Sequence, residues 1–203
     1  GILTTDLKPK LAMEECYIGN KIVKIYGIAK GSGMIFPNMG TMLSYIFIEA
    51  NISKNILKKI LHDNLDFSFN SISVDSDTST SDTLMLFSLS PHGQEKIKSP
   101  NKINKISLGL KEVMSNLALQ IISDGEGISK LIEVQVSGAK TYKQATAVSF
   151  SIANSPLVKT AIAGEDANWG RVVMAIGKAN SQVVQNKIKL MFGSYLVATK
   201  GHK

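Results

Sequence analysis

At 203 residues, with 44% hydrophobic and 19% charged side chains, the chain is long enough to bury a core and too apolar to be globally disordered. Its formal charge of +7 raises nucleic acid as a partner, but the charge is nearly all lysine and Arg171 is the one arginine. The runs Lys58-Lys59 and Lys96 to Lys105 are interleaved with other residues as solvated faces are. Nucleic-acid readers draw on arginine's bidentate fork, so that class is set aside. Cys16 stands alone, which excludes an internal disulfide and suits a reducing compartment. The apolar stretches Met42 to Ile48 and Met191 to Ala198 are each broken by a serine and fall far short of the ~20 residues that cross a bilayer. The chain begins at Gly1 with no visible signal peptide, and both ends read as arbitrary.

In chain order, residues 12–18 and 21–28 read as strands joined by a Gly19-Asn20 hairpin turn. A flexible loop, Lys30-Gly31-Ser32-Gly33, leads to a strand over 41–49, rich in aromatic and β-branched side chains and bounded by Gly40. Ser53 is a candidate N-cap for a helix over 54–64, where Ile56, Leu57, Ile60 and Leu61 recur at helical spacing. Strands are expected at 70–75 and 83–89. Ile106, Leu110, Val113, Leu117 and Ile121 then mark a long helix over 102–123, with Gly125 as its stop. A strand at 131–137, a helix at 141–154, a strand at 157–163, a helix at 168–178 and two final strands complete a mixed α/β (α+β) pattern, read as one structural unit.

Most local motifs carry no chemistry. His62, His92 and His202 lack metal-ligand spacing. The loop from Asp75 begins like a calcium loop but has Thr80 where Gly is needed and Leu86 where Glu is needed, so it reads as a turn held by polar side chains. Neither Gly125-Glu126-Gly127 nor Lys30 to Gly33 completes a phosphate loop or dinucleotide fingerprint. Residues alone stop at an α/β domain.

The segment Gly27 to Leu43, G-I-A-K-G-S-G-M-I-F-P-N-M-G-T-M-L, resembles the self-cleavage segment of the ornithine acetyltransferase (glutamate N-acetyltransferase) family, G-x-A-K-G-S-G-M-I-x-P-N-M-A-T-M-L. Four further stretches follow in the family's order: Ile2 to Asp6 with its Thr-Thr-Asp; Phe69-Asn70 with Val74 to Thr83; Asp124-Gly-Glu126-Gly with Lys130; and Ser155 to Thr160 with Gly164 to Arg171. Gly40 replaces the usual Ala, Ser76 and Ser81 replace Gly and Asn, and Ile128-Ser129 replaces Ala-Thr. The family's oxyanion-hole Thr-Gly pair and its C-terminal substrate contacts have no counterpart here, so the chain is expected to be a fragment.

The resemblance implies an ornithine acetyltransferase/DmpA-like fold, incomplete here. Residues 1–40 would be the end of the family's α chain and 41–203 the start of its β chain. A threonine hydroxyl needs a base. The family supplies one by cleaving Gly40-Thr41, which frees the Thr41 α-amine, a group titrating near ~7.7–8.0 that a cation such as Lys30 would lower. Thr41 would then carry an acetyl group from N-acetylornithine to glutamate in arginine biosynthesis. No cofactor is implied, and whether acetyl-CoA also serves as an acetyl donor is left open. By resemblance Thr4, Lys30, Thr41 and Glu126 bind substrate, Lys30 suiting a carboxylate and Glu126 an ammonium. The other readings are a cap or turn for Thr4, solvated charges for Lys30 and Glu126, and a helix start capped by Asp166 or Asn168 for Asp166 to Arg171. Implied partners are the missing portions of the two chains, in a heterotetramer of two α and two β chains, in the cytoplasm, with neither nucleic acid nor membrane. A self-processing aminopeptidase of the same fold and a non-catalytic fragment are the alternatives.

Overall fold

The computed structural model describes residues 2–36, 42–79, 83–90 and 94–199. Where the sequence suggested one structural unit, the chain divides into two compact units, Gly1–Ile128 and Ser129–Lys203, each with its own core.

The first unit holds a four-stranded sheet in the order β1 (Lys10–Ile18), β2 (Lys21–Lys30), β3 (Leu43–Ile48), β4 (Thr83–Ser88). The predicted hairpin joins β1 and β2, with Gly19 at φ +65° as its turn requires. β3 runs antiparallel to β2, and β4 parallel to β3. The parallel step needs a crossover, which includes α1 (Lys54–Leu65). Ser53 sits at its N-cap position without a side-chain cap hydrogen bond. The long helix α2 spans Pro100–Ile122, starting two residues before its expected bound because Pro100 suits a first turn. All five residues of its predicted apolar stripe are buried, and α2 packs against β1 and β2. Period-two alternation sends Val23, Ile25, Ile46 and Ile48 into that core. The opposite sheet face carries Leu11, Met13, Tyr17, Ile28, Met85 and Phe87, all exposed. The strand expected at 70–75 is instead a 3₁₀ turn, Phe69–Ser71, followed by irregular chain that bends at 74–76.

The second unit contains α3 (Tyr142–Ala153), α4 (Pro156–Ala163), α5 (Trp169–Lys178) and a hairpin of β5 (Lys189–Phe192) and β6 (Tyr195–Thr199). The expected strand at 157–163 is helix α4. A short apolar run does not fix its own period, and Pro156 after Ser155 is a helix start. Residues 131–137 form no strand; Val134 and Val136 pack on the core. Asn168 caps α5 by accepting the Arg171 N–H, and Arg171 reaches the Leu157 carbonyl and Thr160 hydroxyl, both at 3.0 Å. The Asp166–Arg171 motif here does the work of a cap and a strut between α4 and α5.

Candidate functional site

Lys30 is the last residue of β2, paired with Leu43 at the start of β3. It is 5% exposed, which rules out the solvated-charge reading. Its ammonium donates to the Thr4 hydroxyl at 2.8 Å and lies 3.7 Å from Asp6 Oδ2. Thr4 is itself exposed, and its N–H donates to Asp6 Oδ2 at 3.3 Å, so it is both a turn residue and the partner of Lys30.

Beyond Lys30 the backbone leaves the sheet at Gly31, whose φ of +148° suits glycine and whose N–H donates to Asp6 Oδ1 at 2.6 Å. The Ser32 hydroxyl donates to the Asp124 carbonyl at 2.8 Å, and the Ser32 carbonyl accepts the Glu126 N–H at 2.9 Å. The Asp124-Gly-Glu-Gly turn follows α2 directly. A Cβ at 125 would stand 2.8 Å from Ile128 Cγ2 and 3.1 Å from Val74 Cγ1, so any larger residue there must displace those side chains. Glu126 is exposed, and a Cβ on Gly33 would come within 2.9 Å of its Oε2. The carboxylate therefore lies against the Gly31–Gly33 loop. Next along that loop, Asp75 accepts the N–H groups of Met34 and Ile35 at 2.6 and 3.1 Å, while Asp77 N–H returns to it at 3.1 Å. Asp75 holds a turn, as its sequence context suggested.

Thr4 and Lys30 are brought together, and Glu126 is tied through Ser32 to the loop that follows Lys30. Gly40 and Thr41 lie outside the described residues. The sequence missed a buried charge group beneath this site. Lys10 Nζ donates to Asp6 Oδ1 at 2.7 Å, Asp124 Oδ2 at 2.5 Å and the Lys8 carbonyl at 3.1 Å. Asp124 Oδ2 also accepts the N–H groups of Leu7 and Lys8 at 2.9 and 3.2 Å. With Lys30, two cations face two carboxylates and the formal charge cancels, as burial demands. Burial works to raise both carboxyls, but hydrogen bonds from Lys10 and from backbone N–H groups outweigh it. Asp6 is held down at about 2 and Asp124 below the ordinary carboxylate range. Asp6 and Asp124 stood inside quoted motifs, which was a signal; Lys10, 114 residues from Asp124, offered none.

An ammonium beside a hydroxyl binds an anion such as a carboxylate, and the Glu126 carboxylate suits a cation. Among the described residues no group of His, Cys, Asp and Glu is arranged to hold a metal ion, and no helix is long and apolar enough to cross a membrane.

Known proteins share this arrangement of sequence and fold. The chain is 51% identical over 209 residues to the arginine biosynthesis bifunctional protein ArgJ of Bartonella quintana, and 46% identical over 207 residues to the protein of that name from Agrobacterium fabrum. Each alignment takes in 100% of this chain and 50% of the relative, so the chain spans about half the length of the curated relatives it matches. The crystal structure of ArgJ from Bacillus halodurans matches with a TM-score of 0.71 and 38% identity, over 80% of this chain and 76% of that one. The mixed α/β fold is accordingly that of an ArgJ protein. The ArgJ family profile matches residues 1–203 from end to end, and the chain belongs to the ArgJ family.

Proposed function

We propose that the full-length protein moves the acetyl group of N-acetylornithine to glutamate through an acetyl ester on Thr41. The observation that carries the reading is the pairing of buried Lys30 with Thr4, next to a loop flanked by Glu126, immediately before the segment that ends in Gly40-Thr41. Thr41 Oγ attacks the Gly40 carbonyl and the Gly40–Thr41 C–N bond breaks, which leaves an ester and a free Thr41 α-amine; water then hydrolyses the ester to a Gly40 carboxylate and the Thr41 hydroxyl. That amine takes the hydroxyl proton as Thr41 attacks the acetyl amide and returns it to the departing ornithine amine. The glutamate amine then attacks the ester. Lys30 with Thr4 receives a substrate carboxylate, and Glu126 an ammonium. On this reading residues 1–40 and 41–203 belong to two chains after cleavage, in an assembly of two of each in the cytoplasm. No cofactor takes part, and acetyl-CoA is a second acetyl donor to be assayed.

The test is N-terminal sequencing and mass spectrometry of the full-length protein. A chain should begin at Thr41 and gain one acetyl group when N-acetylornithine is supplied without glutamate. Thr41→Ala should abolish cleavage and transfer together. An unprocessed protein that still transfers acetyl would refute the mechanism.

A further inference from the structure

We propose that Asp6, Lys10 and Asp124 are positioning residues, a buried brace that holds the Lys30 ammonium and the Thr4 hydroxyl side by side for a substrate carboxylate. The inference rests on the reading of Lys30 and Thr4 given above.

The brace divides its labour by atom. Lys10 spends all three of its protons internally, on Asp6, on Asp124 and on the Lys8 carbonyl, and is 2% exposed. It is an internal tie. Asp124 clamps the backbone of Leu7 and Lys8, fixing the segment that carries Thr4 onto the turn after α2. Asp6 joins three parts of the chain: Oδ1 takes Lys10 and the Gly31 N–H, while Oδ2 faces the Thr4 N–H and Lys30. Lys10 holds Asp6 Oδ1 at 2.7 Å, while Lys30 lies 3.7 Å from Oδ2, beyond hydrogen-bond reach. Lys30 instead hydrogen-bonds Thr4. Asp6 thus steadies the Lys30 charge without capturing it. Were Lys10 or Asp124 neutral, the pull on Asp6 would change and Lys30 would shift from Thr4.

Buried ion groups are costly to assemble, and apolar replacements of similar volume are often as stable. A brace kept only for stability and one kept for geometry differ in what they do to KM. Loss of folded or processed protein lowers apparent kcat and leaves KM alone, whereas loss of a ground-state contact raises KM. The experiment measures KM for N-acetylornithine and for glutamate in the full-length protein and in its Lys30→Ala, Asp6→Asn and double variants. Lys30→Ala should raise the KM of at least one substrate about ten-fold or more. Asp6→Asn should raise the same KM, and the double variant should be no worse than Lys30→Ala alone, because Asp6 acts through Lys30. A normal KM in Asp6→Asn beside a raised one in Lys30→Ala, or multiplying effects in the double variant, would overturn the brace and leave the Lys30 reading standing. A normal KM in Lys30→Ala would remove that reading and the brace with it. Asp124→Asn probes the same network from its far end if Asp6→Asn does not fold: a raised KM supports the brace, and a wild-type KM counts against it.

Discussion

Lys30 is buried at a strand end, while the lysines of Lys58-Lys59 lie exposed on a helix surface. Burying an ammonium requires compensation, and Thr4 with Asp6 supplies it. Glu126 is the reverse case, exposed but fixed through its backbone to Ser32. Removing one charge-assisted hydrogen bond to a substrate costs about 1.5–3 kcal/mol, or roughly one to two decades in kcat/KM. Lys30→Ala and Glu126→Ala are each expected to show that loss. For Glu126→Ala, whose side chain is solvent-facing, the thermal midpoint should stay near wild type. Steady-state kinetics alongside a melting curve check both, and an unchanged kcat/KM would remove the residue from the site.

Among the elements, α2 lies close on the sheet because glycines leave room for it. A Cβ at Gly27 of β2 would fall 2.6 Å from Leu117 Cδ1 and 2.8 Å from Val113 Cγ1; one at Gly109 of α2 would fall 2.3 Å from Cys16 Sγ. Gly27→Ala must therefore shift α2 side chains, and overpacking of this kind costs about 1–3 kcal/mol. The expected outcome is a lower urea midpoint, with site effects following from any displacement of the turn that carries Asp124 and Glu126. A midpoint at or above wild type would show that the interface yields freely. This is also the scale at which the sequence was read both well and badly. The stripe of α2 was legible because five residues at helical spacing leave one period only. The segment 157–163 reads as a strand but folds as a helix because five apolar residues in a run of seven satisfy either period, and 131–137 reads as a strand because alternation is present without a ladder partner.

For the whole molecule, the buried charges predict a sign for the pH dependence. Asp6 moves from 3.8 to about 2 on folding, so its contribution is complete above about pH 4–5 and is lost as pH falls toward 2. Asp124, also lowered by its hydrogen bonds from Lys10 and from backbone N–H groups, acts in the same direction. Asp6 alone accounts for about 2 kcal/mol. Urea unfolding between pH 5 and pH 2 should show stability falling with acid, with a shallower fall in Asp6→Asn; equal slopes would mean that Asp6 is not paired in solution. The exposed sheet face gives a second expectation. Leu11, Met13, Tyr17, Ile28, Met85 and Phe87 form an apolar surface, with Phe87 stacked on Phe47 at 5.1 Å. The 203-residue chain should bind a hydrophobic dye. The full-length protein should bind markedly less, as should a Met13→Lys, Phe87→Lys variant. Equal dye binding by all three would place the exposed surface elsewhere.

The sequence by itself determined the family, through five motifs in fixed order, together with the first hairpin, α1, α2, α5 and the mixed α/β class. Each of these is a local pattern or a string that a linear reading can hold. It also singled out Thr4, Lys30, Thr41 and Glu126 as substrate residues, by resemblance. Only the tertiary structure decided that Lys30 is buried rather than solvated, that Thr4 is its partner, and that Asp6, Lys10 and Asp124 lie together beneath them. The physical reason is that burial and charge pairing depend on distance in space. Lys10 and Asp124 meet across 114 positions only because β1 pairs with β2, α2 packs across both, and the turn after α2 returns to the N-terminal segment.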